Sequence, residues 1–246
     1  MTIYERLDMN KAAIDNIRPF EGETLKQLRE YYRIGLTWAS NALEGNSLTE
    51  IETKVLLEDG LTVGGKPLRD TLEAVGHSNA YDYMFGLLGK RCITVKDILT
   101  LHRLFYGLID AQNAGKWRDV NIIVTGSDYG FPAPAELDGL MAGLGRWMEG
   151  ERERTHPVRY AAMLHLKFVT IHPFIDGNGR VARLLMNAAL IHDGYMLAVV
   201  PPILRTDYLA CIRKYQQSDD DSSFCDFIAR RVYESEKEIM RLLKIN

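Results

Sequence analysis

Along most of this chain, apolar residues recur at the three- and four-residue spacing of a helix face. In GETLKQLREYYRIGLTWASNAL the stripe is Leu25, Leu28, Tyr32, Leu36, Ala39 and Leu43. That pattern predicts a helix stopping near Gly45 and Asn46, both of which tolerate a left-handed C-terminal cap. SLTEIETKVLLEDG predicts a second helix, capped by Ser47 or Thr49 and ended at Gly60. LTVGGKPL is a loop by its glycines and proline. Helical patterns return in RDTLEAVGHSNAYDYMFGLL, TVKDILTLHRLFYGLI and AELDGLMAGLGRWME. PVRYAAMLHLKFVTI opens on proline, a favoured first helical residue, and puts Ala161, Leu164, Phe168 and Ile171 in one stripe. RVARLLMNAALIHDG, LRTDYLACIRKYQQ and SSFCDFIARRVYESEKEIMRLLKI complete the helical set. One segment breaks the pattern. VNIIV at 120–124 is rich in β-branched residues, and TGSDYG behind it is turn chemistry, so the pair predicts a small β-hairpin within an all-α bundle.

Composition narrows the classes without choosing one. With 246 residues, 46% hydrophobic and 26% charged, the chain can bury a sizeable core. A net charge of −3 gives no footprint for nucleic acid or an anionic membrane surface. Cys92, Cys211 and Cys225 are odd in number and widely spaced, which predicts reduced thiols, not a disulfide framework or a zinc site. MTIYERLDMNKAAID lacks the apolar stretch of a signal peptide, and no run reaches the roughly 20 apolar residues of a membrane span. The expected location is the cytoplasm.

One charge is out of place. SNALEGN closes its helix on Glu44, whose carboxylate faces the negative end of the helix dipole. Ser40, Asn41, Ser47 and Leu48, three and four residues away, offer it no cation.

Residues 172–183, HPFIDGNGRVAR, carry a denser set of chemistry. Pro173 biases His172 away from helical dihedrals, so one helix ends there before the next begins. Gly177, Asn178 and Gly179 precede the new helix, whose first-turn N–H groups make an anion site suited to phosphate. Arg180 and Arg183 share a face of that turn, where cations oppose the dipole unless an anion lies between. Asp176 has the wrong charge for a phosphate site unless it binds Mg²⁺ bridging the phosphates. His172 beside the loop could take a proton from an attacking hydroxyl. Together these parts fit phosphoryl or nucleotidyl transfer. GNGRVA fits a loose dinucleotide fingerprint, but no strand precedes it and position 199 is valine where an acid is needed. The GxxxxGK[ST] phosphate loop is absent, and His165 with His172 is too sparse for a metal site.

HPFIDGNGRVAR resembles the signature of Fic-domain proteins, HxFx(D/E)GNGRxxR, at every specified position. The resemblance implies a compact helical bundle that transfers AMP from ATP to a Ser, Thr or Tyr hydroxyl of a protein. It implies His172 as general base, Asp176 as the Mg²⁺ ligand, and Gly177, Asn178, Gly179, Arg180 and Arg183 around the phosphates, with Phe174 packed inward. Relatives that phosphorylate their targets carry lysine at position 179, so Gly179 favours AMP transfer. Tyr208 and Gln216 lie where the family lines its adenine pocket. Ile122, Ile123 and Val124 fall in the flap that pairs with the target backbone. Ser40 to Gly45 fits the family's inhibitory motif (S/T)xxxE(G/N), in which the glutamate pairs with the second arginine, here Arg183. Residues 1–75 would then form an inhibitory region and 76–246 the catalytic core. The resemblance also raises self-modification and a homodimer. Removal of AMP, and a catalytically idle nucleotide-binding module, are the alternatives; the intact His172 argues against the second.

Overall fold

The computed structural model describes residues 1–62, 64–90, 92–124 and 128–245. Its elements are α1 (Ile3–Asp15), α2 (Gly22–Ala42), α3 (Glu50–Asp59), α4 (Leu68–Gly86), α5 (Val95–Tyr106), α6 (Leu137–Glu151), α7 (Pro157–Ile171), α8 (Asn178–His192), α9 (Arg205–Ser218) and α10 (Ser222–Leu242), with short 3₁₀ turns between some of them. Among the described residues there is no strand.

The core is built around α8. Residues 180–190 of this helix are all buried, because α7, α4, α5 and α2 pack around it. Leu184, Leu185, Met186 and Leu190 meet Leu164, Leu166 and Phe168 of α7 in one apolar cluster. A helix buried along this whole length is held in place by neighbours on every side. The 172–177 loop at its N-terminus is therefore set on a rigid base.

Local signals explain most helix ends. Thr49 caps α3 in a reciprocal box with Glu52, and Gly60 stops it at φ +68. Pro157 opens α7 and His172 closes it. Helix α2 ends at Ala42, one residue before the last position of its apolar stripe. Its last turn is a Schellman motif: Gly45 N–H donates to Ala42 O at 3.1 Å and Asn46 N–H to Asn41 O at 3.2 Å, with Gly45 at φ +96. Glu44 therefore lies in the turn beyond the helix. Helix α1 was not expected from the apolar pattern, which is weak there; its signal is a capping box between Thr2 and Glu5. It packs on α10.

The expected β-hairpin is corrected. Thr125, Gly126 and Ser127, the turn of that hairpin, lie outside the described residues, and Ile122, Ile123 and Val124 adopt no strand. An isolated two-stranded ribbon is marginal without a third strand or a packed face, and Ile123 is 96% exposed. The segment is anchored at its base instead. Arg118 donates to Val120 O at 2.9 Å and to Pro132 O at 2.6 Å.

Gly76 sets the crossing of α4 over α5, since a Cβ there would lie 2.1 Å from Phe105 O. Gly76→Ala is expected to destabilise the fold by about 1–3 kcal/mol or more. Gly86→Ala, where a Cβ meets nothing within 4 Å, should be neutral or stabilising by up to about 1 kcal/mol. Chemical denaturation of both variants checks this.

Candidate active site

His172 sits at the end of α7 in a left-handed conformation, φ 51 and ψ 58, with its N–H donating to Phe168 O at 3.0 Å. Its Nδ1 lies 3.1 Å from Val169 O. A carbonyl can only accept, so Nδ1 carries the proton and Nε2 keeps its lone pair. Burial lowers the imidazole to about 4, outweighing the bond to Val169, so the ring is neutral at pH 7. The structure thus gives His172 the tautomer and charge of a general base.

The loop behind it is held by side chains turned on backbone. Asn178 accepts from Phe174 N–H at 2.9 Å and donates to Phe174 O at 2.8 Å. Its side chain therefore shapes the loop, and what it presents to an anion is its place in the first turn of α8. Phe174 is buried, stacked on His102 with ring centroids 3.6 Å apart. His102 was not singled out in the sequence. Gly115 N–H donates to its Nδ1 at 2.9 Å, so Nε2 bears the proton and donates to Asp176 O at 3.1 Å. Gly177, at φ +78, is pressed against α5: a Cβ there would lie 2.6 Å from Phe105 Cε1.

Arg183 is 2% exposed, and its partners come from distant parts of the chain. Nε donates to Ser40 Oγ at 2.9 Å, Nη2 to Ser40 O and Glu44 Oε1 at 2.8 Å each, and Nη1 to Tyr208 Oη at 3.2 Å. The tyrosine hydroxyl in turn lies 2.7 Å from His165 Nε2. Glu44, partnerless in its own segment, thus has its cation on another helix. Burial alone would raise its carboxyl, but Arg183, Arg180 and Arg205 together hold it below the usual glutamate range. The pair is fully formed at neutral pH and weakens only as pH falls through that lowered value. Arg205 also donates to Leu43 O at 2.7 Å, tying the turn to α9. Gly179 makes the approach possible, since a Cβ there would lie 2.2 Å from Glu44 Oε1.

A second network surrounds Asp176. Its carboxylate accepts from Gly177 N–H at 2.6 Å, from Arg180 at 3.2 Å and from Arg69. Arg180 is also paired with Glu73 at 2.9 Å and stacks on Phe105. Glu73 accepts from Arg69 at 3.1 Å and from Asn46 at 3.0 Å. Arg180 is therefore committed to two carboxylates beneath the loop, whereas Arg183 faces the cavity. Among the described residues no cluster of three His, Cys, Asp or Glu side chains could hold a metal unaided. Asp176 is part-exposed and its carboxylate is already engaged by Gly177, Arg180 and Arg69, so a Mg²⁺ held there with substrate phosphates would have to displace the exposed Arg69.

His172, Glu44, Gly179 and Arg183 line one cavity of about 140 Å³, together with Val124, Phe131, Tyr208 and Gln216. Ile122 and Ile123 are not among its lining residues. Missed by the sequence reading were Glu73, Arg69, His102 and Arg118. Each acts through a contact to a segment remote in sequence, and none stands in a local motif.

Residues 92–190 match the model of the Fic/DOC family. The chain is 37% identical over 227 residues to protein adenylyltransferase Fic of Drosophila melanogaster, which covers 92% of this chain and 45% of that protein. It thus spans less than half the length of the curated relatives it matches. Among solved structures, Fic-1 from C. elegans superimposes with a TM-score of 0.86 at 27% identity, over 98% of this chain and 73% of that one. A Fic domain containing signalling protein from Bacteroides thetaiotaomicron gives 0.84 at 27% identity, over 96% and 95%.

Ser40→Ala would leave Nε of a buried guanidinium without its acceptor. The expected loss is about 1–3 kcal/mol, more than the few tenths that alanine gains in helix propensity. Urea unfolding of the variant measures it.

Proposed function

We propose that this chain, whose residues 92–190 match the Fic/DOC family, transfers AMP from ATP to a side-chain hydroxyl of a target protein and is held off by its own Glu44. The observation that carries the reading is the single cavity lined by a neutral His172, the first turn of α8, Arg183 and Glu44. His172 Nε2 takes the proton of the target's Ser, Thr or Tyr hydroxyl as its oxygen attacks the α-phosphorus. The new phosphodiester bond forms as the α–β anhydride bond breaks, and pyrophosphate leaves. Gly177, Asn178 and Gly179 admit the phosphates to the backbone of α8, and Arg183 is the cation for the terminal phosphate. Arg180, bound to Glu73 and Asp176, supports the loop from below. Asp176 would hold Mg²⁺ with the phosphates; bound there, the ion would offset charge on the leaving pyrophosphate. Tyr208 and Gln216 line the far wall for the nucleoside. Val124, with Ile122 and Ile123 beside it, would dock the target backbone by edge pairing, the target supplying the partner strand.

Inhibition follows from occupancy. With Ser40 and Glu44 on Arg183, a terminal phosphate meets a carboxylate where it needs a cation. A second reading, removal of AMP from a modified protein, is favoured by one observation: Glu44 and His172 face the same cavity, where together they could orient and deprotonate a water. The division of labour we propose is inhibition by residues 1–75 and catalysis by 76–246. Self-modification, a homodimer and a cytoplasmic location belong to the same reading.

With ATP labelled at the α-phosphate and Mg²⁺, Glu44→Gly should label itself or a target about 5- to 150-fold faster than wild type, the span of ordinary allosteric couplings. Adding His172→Ala should cost about 100-fold or more. Label from the γ-position should not transfer. Equal labelling by wild type and Glu44→Gly would remove Glu44 from its role.

The acid limb gives a separate measure. A free imidazole would lose activity near pH 6.5. For Glu44→Gly, kcat/KM should stay level from pH 8 to about pH 5 and fall as His172 protonates near its lowered value of about 4.

A further inference from the structure

Arg118 is 5% exposed, and its hydrogen-bond acceptors are all main-chain carbonyls. Among the described residues no carboxylate pairs with it. Its Nε donates to His172 O at 2.9 Å, and its own backbone N–H donates to Pro173 O at 2.9 Å. The two Nη atoms reach Val120 O at 2.9 Å and Pro132 O at 2.6 Å. A buried guanidinium without an acid is rare, because its charge is costly to desolvate. Here the fork is spent on three chain segments: the carbonyl of the base and both stems of the 120–132 loop.

His172 needs such a hold. Its φ of 51 is a conformation that a non-glycine residue keeps only when its surroundings over-determine it. Its N–H is bound by Phe168 O, its Nδ1 by Val169 O, and its carbonyl by Arg118. The first two bonds come from α7 itself; only the third comes from outside. We propose that Arg118 is the positioning residue that locks His172 in its reactive pose and couples that pose to the 120–132 loop. The role rests on His172 being the general base of the proposed reaction. A target strand settling on the loop would load the two carbonyls bound by Nη1 and Nη2, and the same rigid guanidinium carries that load to the base. Its positive charge also disfavours the imidazolium, in the same direction as burial.

The test uses Arg118→Lys and Arg118→Gln in the Glu44→Gly background. Lysine keeps the charge and loses the planar fork. Turnover with saturating α-labelled ATP should fall about 10-fold in the lysine variant and about 100-fold in the glutamine variant, as for a base displaced by an ångström or so. Affinity for a non-hydrolysable ATP analogue, measured by calorimetry, should stay within about twofold, a kcat effect without a binding effect. The His172 ring ¹⁵N resonances, assigned by their loss in His172→Ala, should leave the pattern of a fixed Nδ1–H tautomer. Turnover within about threefold of the parent, or affinity falling as far as turnover, would overturn the proposal. If the glutamine variant does not fold, the lysine variant decides by the same two measures. If the Glu44→Gly parent takes up no label, the transferase reading fails, and the ring resonances alone decide Arg118: unchanged signals in both variants reject it.

Discussion

The buried guanidinium of Arg183 is the interaction on which the rest of the site depends. It lies on α8, whose residues 180–190 are all buried. A charge placed there must be answered by hydrogen bonds and by an anion. Ser40 and Tyr208 supply neutral oxygens, and Glu44 supplies the charge. Burial keeps the neighbouring His77 and His165 neutral, and the positive charge of Arg183 pushes both the same way. The site is therefore built to want one anion at a time. The carboxylate of Glu44 fills that requirement, and in the proposed reaction the polyphosphate of a nucleotide would compete for it.

The second network gives the turn that carries Glu44 a grip on the loop. Asn46, two residues after Glu44, forms the Schellman turn with its backbone and bonds Glu73 with its side chain. Glu73 holds Arg180, and Arg180 holds Asp176. A displacement of the turn is thus felt on both sides of α8: at Arg183 directly, and at Asp176 through two ion pairs. The coupling runs through packed, charged contacts whose partners are fixed, the kind of path that can carry a change of state.

How much of this was legible in the sequence follows from where each constraint is written. The α7–loop–α8 unit was readable because proline, glycines and two apolar stripes mark it within about thirty residues. The pairing of Glu44 with Arg183 was readable only by family resemblance, since that cation lies 139 residues away in sequence. Arg118 and Glu73 were not readable at all; each is an ordinary charged residue in its own segment and gains meaning from remote carbonyls or arginines. The hairpin failed for a different reason. β-branched composition states a preference for extended backbone, not the existence of a partner strand. VNIIV itself forms no strand.

Gly179 carries one more consequence. Its φ is not in the left-handed region, so backbone conformation gives no reason for a glycine. The reason is the oxygen of Glu44, which occupies the space of a missing methyl group. A residue inside the HPFIDGNGRVAR stretch is therefore constrained by a side chain from the turn at the far end of α2. On the proposed reading, a larger residue at 179 would crowd both Glu44 and the incoming phosphates, so restraint and turnover would hang on the same missing methyl group.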